Sequence, residues 1–463
     1  MAAEAAAEAQ AAATRIVETL RRSGHQAYFA GGCVRDLLLG REPQDFDVAT
    51  SALPQVVLDL FPRTFAVGAR FGVVLVSNRG LEVRDPSPRN EILTEVATFR
   101  RDGAYSDGRR PDSVLFSTAP EEDVARRDFT INGMLLDPSL LEGAGSVSEA
   151  VLDFVGGRKD LAAGLIRAIG EPGRRFQEDK LRLLRAVRFA ARFQFAIEEN
   201  TARAIRSQAS EIGQVSCERI RQELTRMLTE GRARLAFELL DRTGLLPAVL
   251  PEIAAMKGVE QPAQFHPEGD VWTHTLLLLE KLSSGCSPTL AWAALLHDAG
   301  KPPTFRIAAD RIRFDGHVEA GVRIAAGICS RLRFSGEDAQ QIGALVENHM
   351  RFADVRRMKE STLKRFFRLP RFEEHLELHR LDCLASHGSL ELYRYARERY
   401  EQTPPAQVKP ALLVTGRVLI AEGLRPGPQF KELLARAEDA QLEGRIRTRE
   451  EGMTLIRRWL AGA

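Results

Sequence analysis

The sequence predicts an α+β chain: a mixed α/β head followed by an all-helical neck, body and tail. Up to about residue 140, short apolar runs alternate with short helical stretches and glycine turns. From Arg175 to about Leu250, Leu, Ala and Arg recur at helical spacing with no strand pattern. Proline then punctuates the chain at 247, 251 and 262, and again at Thr403-Pro404-Pro405. The expected division is a head over 1–140, a helical neck over 141–255, a second helical unit over 256–400 and a tail over 401–463. At 463 residues, 44% hydrophobic and 28% charged, the chain can build several packed cores and is neither fibrous nor mostly disordered.

Within the head, residues 4–22 read as a helix that stops at Gly24. Residues 26–30 read as a strand running into Gly31-Gly32, and 34–39 as a short helix ending at Gly40. Phe46, Val48, 73–76 and 96–99 are strand-like. The tail reads as helix broken at Arg425-Pro426-Gly427-Pro428.

Charge and cysteine usage narrow the class. The net charge of +2 excludes a polycation, but the distribution is uneven. Residues 174–192 hold seven Lys/Arg against two acids, and 351–371 hold eight against two, excesses that can follow a phosphate backbone or be solvated helix faces. No apolar run reaches the roughly 18 residues of a membrane span. Residues 1–14 carry no Lys or Arg and lack the layout of a secretory or transit leader. Five scattered cysteines without a CxxC pair argue against disulfides and a Cys-based zinc site, so a reducing cytoplasm is expected.

Two constellations carry chemistry. In the first, Gly31-Gly32-Cys33-Val34-Arg35-Asp36 follows a strand and opens a helix. Its glycines let backbone amides approach a phosphate, and Arg35 adds a cation. Asp45-Phe46-Asp47 places two carboxylates on one face of an extended segment, with the apolar residue between them facing inward. Such a pair holds Mg²⁺ for phosphoryl or nucleotidyl transfer. Glu95 is a candidate supporting carboxylate, with a structural role as the alternative.

These motifs resemble the head of the bacterial-type (class II) nucleotidyltransferases that add CCA to tRNA 3′ ends, a group shared with bacterial poly(A) polymerases. The resemblance runs in family order through Arg126-Arg127-Asp128-Phe129-Thr130-Ile131-Asn132, Glu178-Asp179-Lys180-Leu181-Arg182 and the 216–224 stretch, covering about residues 25–225. It implies a nucleotidyltransferase head on a helical neck, body and tail, with tRNA, CTP and ATP as partners and Mg²⁺ as cofactor. Asp45 and Asp47 are then the catalytic metal ligands, and Gly32, Arg35, Arg127, Asp179, Arg182, Arg185 and Arg188 the nucleotide-binding residues. Chemistry agrees for the base. Read as i, i+3 neighbours on one helix, Asp179 accepts and Arg182 donates. That order suits the amine and ring nitrogen of adenine and cytosine, and leaves guanine and uracil mispaired. Arg188 lies about half a turn around the helix from Asp179 and reads equally as packing against the head or touching RNA. Residues 100–112 resemble the loop the family needs to switch from C to A, and the segment from Gly416 to Phe430 its tRNA-gripping tail.

In the second constellation, His274, His297-Asp298, His317, His349 and Asp382 fall in one helical unit, and eight of the nine histidines lie between His266 and His387. Adjacent helical residues diverge by about 100°, so one metal needs ligands from several helices. The expected groups are His297 and Asp298 with His274 and Asp382, and a second position completed by His317 and His349. The order resembles the HD phosphohydrolase superfamily and implies a metal-dependent phosphodiesterase or phosphatase. Mixed His/carboxylate ligands suit Mn, Fe, Ni or Co better than Mg alone. Two alternatives stay open: an A-only tRNA enzyme or poly(A) polymerase, and an HD nucleotide hydrolase whose head only binds.

Overall fold

The computed structural model describes residues 2–79, 91–103, 113–141, 146–262, 264, 267–309 and 311–461. Residues 104–112, most of the expected C-to-A loop, and His266 lie outside the described residues. The chain divides into two compact units, one of residues 1–227 and 235–249, the other of 228–234 and 250–463.

In the first unit the order is α1 (Ala2–Arg22), β1 (Ala27–Ala30), α2 (Gly32–Leu38), β2 (Asp47–Thr50), α3 (Pro54–Leu60), β3 (Thr64–Gly68), β4 (Val73–Ser77), β5 (Leu93–Thr98), β6 (Arg100–Asp102), β7 (Val114–Phe116), α4 (Pro120–Ala125), β8 (Met134–Leu136) and β9 (Val151–Asp153). Seven strands form one mixed sheet in the order β3-β4-β5-β2-β1-β8-β9, and β6 and β7 pair as a separate hairpin. Register positions the chemistry. β1 and β2 are antiparallel with Ala30 opposite Asp47, so the glycine turn that leaves β1 lies beside the start of β2. β2 and β5 run parallel with Val48 opposite Val96, which brings Glu95 alongside Asp47. Phe46 is buried as its position between the two aspartates predicts, edge-on to Phe29 at 5.2 Å. Burial of such a ring is worth about 2 kcal/mol and anchors the carboxylates on either side.

Helices follow, interrupted by one two-stranded pair: α5 (Gly157–Ala162), β10 (Leu165–Ile166), α6 (Pro172–Glu178), α7 (Leu181–Phe193), β11 (Ala196–Ile197), α8 (Glu199–Gln208), α9 (Cys217–Thr229), α10 (Ala233–Arg242) and α11 (Leu245–Val249). The β10–β11 pair departs from the strand-free pattern expected after Arg175; the segment is too short to show period-2 alternation.

The second unit holds α12 (Pro251–Ala254), α13 (Val271–Glu280), α14 (Pro288–Leu296), α15 (Lys301–Thr304), a hairpin of β12 (Arg306–Ile307) and β13 (Ile312–Arg313), α16 (His317–Arg331), α17 (Gly336–Asn348), α18 (Glu360–Phe367), α19 (Phe372–Ala385) and α20 (Glu391–Gln402), then the tail helices α21 (Pro405–Val408), α22 (Gly416–Ala421), α23 (Pro428–Leu442) and α24 (Arg449–Leu460). One of its cores gathers Phe352, Phe366, Phe372 and neighbours. His375 of α19 sits in contact with Phe372, and its buried Nε2 has no hydrogen-bond partner among the described residues. Burial, and then the charge of Arg351, push His375 down to about 4.

A histidine held below its unfolded pKa stabilises the fold above that value and loses the contribution as pH falls from about 6.5 to about 4, because the unfolded chain takes up the proton first. His375→Leu is therefore expected to flatten the pH dependence of stability in this window by roughly 1–3 kcal/mol. Urea unfolding at pH 7, 5.5 and 4.5 checks it; parallel losses in both proteins would refute the assignment.

Candidate functional site

A cleft of about 500 Å³ in the first unit collects most of the first constellation. Gly32, Arg35, Asp47, Arg127, Asp179, Arg182, Arg185 and Arg188 all line it. Asp45 is not in the lining, but its charge acts on Asp47 from two residues away. Eight arginines and three aspartates line the cleft, a balance suited to a polyanion.

The glycine turn is specific in its demands. Gly31 has φ +77°, and a Cβ there would lie 3.0 Å from Arg127 Nη1, so a side chain would be strained and would displace that guanidinium. Arg127 is braced from behind by the buried Asp123 at 3.0 Å, which also holds Arg126 at 2.6 Å. Asp47 is exposed as a residue, yet its carboxylate borders the cleft where protein displaces water. That partial burial, and then the charges of Glu95 and Asp45 against the pull of Arg127, raise it to about 6. Crowded carboxylates of this kind fit a divalent cation, which relieves their repulsion.

The pair expected to read the base, Asp179 and Arg182, is built differently from the sequence expectation. Asp179 and Arg182 do not share a helix. α6 ends at Glu178, Asp179 is extended (φ −146°, ψ 103°), and α7 begins at Leu181. The break has a local cause: Asp179 Oδ1 accepts the Leu181 amide at 3.1 Å, satisfying one of the unpaired N–H groups at the start of α7. The carboxylate is aimed by a residue the motif reading did not single out. Arg219 of α9 donates to both oxygens, at 3.1 and 2.7 Å. It lay within the 216–224 stretch, but nothing in its spacing pointed at Asp179. Arg182 is braced by Glu178 at 2.8 Å and by the carbonyls of Arg175 and Arg126, both at 3.0 Å. Both side chains are thus locked before any ligand arrives. By a count of these bonds, Asp179 Oδ2 keeps one lone pair and Arg182 keeps N–H donors.

Arg185 and Arg188 separate in role. Arg185 clamps Asp128 at 2.6 and 2.8 Å; burial would raise that carboxyl, but Arg185 and Asn132 hold it down at about 2. Arg188 is buried and bonds Glu223 of α9 at 2.6 Å, both side chains nearly inaccessible. Arg35 is likewise buried, bonded to Asn132 at 2.5 Å and Asp36 at 2.8 Å, with its guanidinium 4.5 Å from the Phe193 ring centroid.

The second constellation closes into two triads in the second unit. His274, His297 and Asp382 form one; Asp298, His317 and His349 form the other. In each triad the ligand-type atoms lie within 4.8 Å of one another. Asp298, adjacent to His297 in sequence, is grouped with His317 and His349 and also stays within reach of His297, so it touches both expected positions. Asp298 lies between, with Oδ2 3.2 Å from His297 Nε2 and Oδ1 4.0 Å from His349 Nε2. Five segments meet here because backbones pack tightly. A Cβ on Gly300 would fall 1.9 Å from the His317 carbonyl, so only glycine lets the start of α16 approach.

Every histidine is oriented by its Nδ1. His274 bonds Glu268 at 2.7 Å, His297 the Ala294 carbonyl at 2.9 Å, His317 the Phe314 carbonyl at 2.9 Å and His349 the Val346 carbonyl at 2.6 Å. An Nδ1–H donated to each acceptor leaves the Nε2 lone pair facing the cluster, as in imidazoles that ligate a metal. The Nε2 atoms of His317 and His349 are buried with no hydrogen-bond partner among the described residues. Burial and the neighbouring His297 push His349 down to about 4, while the hydrogen bonds of Asp382 and Glu268 raise His274, against its burial, to about 9. The donor set fits divalent metal. Lys301, which the sequence reading passed over although it follows Asp298 by three residues, lies 2.7 Å from Asp298 Oδ2 and 2.6 Å from Gln261 Oε1.

Comparison with known proteins matches this geometry module by module. Residues 27–167 match the poly A polymerase head domain, 194–257 the probable RNA and SrmB-binding site of polymerase A, and 270–384 the HD domain. The chain thus carries, in order, segments similar to a poly A polymerase head domain, to the RNA-binding region that accompanies it and to an HD domain. It is also similar to CCA-adding enzymes. It is 41% identical over 239 residues to that of Geobacillus stearothermophilus, covering 52% of this chain and 54% of the relative. It is 38% identical over 270 residues to that of Lactobacillus helveticus, covering 57% and 62%. The chain thus spans about half the length of the curated relatives it matches. Over nearly the full length of both chains (97% and 98%) its fold resembles the crystal structure of the Bacillus stearothermophilus CCA-adding enzyme in complex with CTP, at 27% identity and a TM-score of 0.71. The Thermotoga maritima CCA-adding enzyme complexed with tRNA shares the fold at 20% identity and a TM-score of 0.57. The head and HD domains both imply dependence on divalent metal.

The Arg188–Glu223 pair can be tested directly. Arg188→Ala leaves the buried Glu223 carboxylate with only the exposed Arg226, 3.9 Å away, and is expected to cost about 3 kcal/mol of stability. Adding Glu223→Leu should recover most of that loss, a pattern that denaturant unfolding of the two variants measures.

Proposed function

We propose that this protein adds C, C and A to the 3′ end of tRNA from CTP and ATP without a nucleic-acid template. The observation that carries the reading is a single cleft in which the Asp47 carboxylate and a braced Asp179/Arg182 pair face the same space. The base is read by Asp179 Oδ2 accepting its exocyclic amine and Arg182 donating to its ring nitrogen, an order that cytosine and adenine share. Guanine and uracil leave a buried group unpaired, at about 1–3 kcal/mol each. Backbone amides of the Gly31-Gly32 turn, with Arg127 and Arg185, hold the triphosphate, and Arg35 and Arg188 stiffen the cleft beneath it. The tRNA 3′ oxygen bonds to the α-phosphorus as the bond to the bridging oxygen breaks and pyrophosphate leaves. Mg²⁺ held by Asp45 and Asp47, with Glu95 beside them, would acidify the attacking hydroxyl and neutralise the triphosphate.

The division into head, neck, HD body and tail at 1–140, 141–255, 256–400 and 401–463 is part of this proposal, as is a cytoplasmic setting. The two histidine–carboxylate triads would hold Mn, Fe, Ni or Co and hydrolyse phosphate esters. An A-only activity is disfavoured by the base pair itself, which accepts cytosine as readily as adenine.

Asp45→Ala and Asp47→Ala should each lower nucleotide addition to tRNA lacking CCA by at least a thousandfold while leaving the melting temperature nearly unchanged. Labelled-tRNA gels with CTP and ATP decide the matter, and near wild-type addition by either variant ends the assignment.

Arg219→Ala should free the Asp179 carboxylate to rotate, raising UTP use relative to CTP by about tenfold, from about 1.4 kcal/mol of lost discrimination. Arg219→Lys should restore part of it. Loss of rate with unchanged base preference would show that Arg219 serves folding alone.

A further inference from the structure

The cavity beside the two triads, about 540 Å³, is lined by two unlike kinds of side chain. Asp298, His317, His349 and Asp382 of the triads are joined there by Lys301, Arg311 and Arg313. Phe314, Met350, Ile312 and Pro262 add apolar surface. Phe314 is held from several directions. Its carbonyl accepts from His317 Nδ1 at 2.9 Å, its ring lies 6.0 Å from that of Phe305, and Lys301 Nζ sits 5.5 Å from its centroid. It directly follows β13, so the hairpin fixes its backbone. A rigid, half-buried aromatic face thus stands beside a ligand histidine and a lysine. Met350, also in the lining, is 49% exposed.

An inorganic anion such as pyrophosphate needs only the charged side chains, and the apolar ones would stay wet to no benefit. A phosphate ester with a flat apolar group uses both. Building on the phosphohydrolase reading of this cluster, we propose that Phe314 is the specificity-determining residue of the second cavity: it stacks on the base of a nucleoside phosphate whose phosphate points at the triads and Lys301. Base–aromatic stacking is tolerant of base identity, so the cavity selects nucleosides rather than one base. The ligand is a free nucleotide or the terminal nucleotide of an RNA.

Calorimetry on the full chain with Mn²⁺ tests this, using adenosine 3′-monophosphate, glycerol 1-phosphate and pyrophosphate as probes. The nucleotide should bind at least tenfold more tightly than glycerol phosphate. Phe314→Leu should remove most of that preference, leave glycerol phosphate binding unchanged, and melt within a few degrees of wild type. Phe314→Trp should keep the preference. A His297→Ala/Asp298→Ala variant should lose the Phe314-dependent binding, which assigns the signal to this cavity and not to the head. Competition by an RNA hairpin ending in a 3′-phosphate identifies an RNA end as the source; its absence identifies the free nucleotide. Equal binding of all three probes, or equal weakening of nucleotide and glycerol phosphate by Phe314→Leu, overturns the proposal. A Phe314-dependent preference in a protein that hydrolyses none of the probes would keep the base contact and sink the phosphohydrolase reading instead. Hydrolysis without base preference would do the reverse.

Discussion

Asp128 is the point on which the first cleft depends. Its carboxylate takes Arg185 of α7 on one oxygen and the Asn132 amide on the other; Asn132 in turn holds Arg35 of α2, and Arg35 holds Asp36. The chain of bonds runs from the helix carrying Arg182 to the helix that the glycine turn opens. Buried charges of this kind persist only when each is paired, so truncating any one member leaves its neighbour uncompensated. The network positions the two sides of the cleft relative to each other, and it keeps its arginines extended and ready.

The same constraint explains the excess of aspartate behind the arginines. A cleft lined by eight arginines would repel itself if each guanidinium stood alone. Asp123 brackets Arg126 and Arg127, Glu178 braces Arg182, and Glu223 neutralises Arg188. What remains is a graded field: strongly held arginines in the walls and carboxylates at the mouth of β2. Asp47 is the exception in direction, since burial and then the neighbouring acids outweigh Arg127 and raise its pKa. The acids that serve structure are paired with cations, and the acids proposed to serve chemistry are crowded with one another.

In the second unit the organising device is hydrogen bonding at Nδ1. Three of the four histidines spend it on a backbone carbonyl three residues earlier, at the end or just before the start of a helix. Helix termini therefore converge on the cluster for a physical reason: they supply acceptors that fix each ring. Phe314 belongs to this scheme, because the carbonyl that orients His317 and the ring that lines the cavity come from one residue.

Much of this was legible in the linear order of residues. The alternation of short strands and glycine turns up to residue 140, the inward Phe46 between two aspartates, and the helical periods beyond Arg175 follow from local rules, since period and turn chemistry are properties of neighbours in sequence. The metal-type residues of the second unit were identifiable by kind for the same reason. Tertiary structure alone decided how they group. It set Asp298 between His297 and His349, at 3.2 and 4.0 Å, because only packing says which segments meet at that point. It broke the helix at Asp179, because a cap and an arginine forty residues away outbid the helical spacing. It also supplied Arg219, Lys301 and Phe314, whose partners lie on other segments. Spacing along one element reports which residues share a face; which face meets which is set by long-range packing that no local pattern encodes.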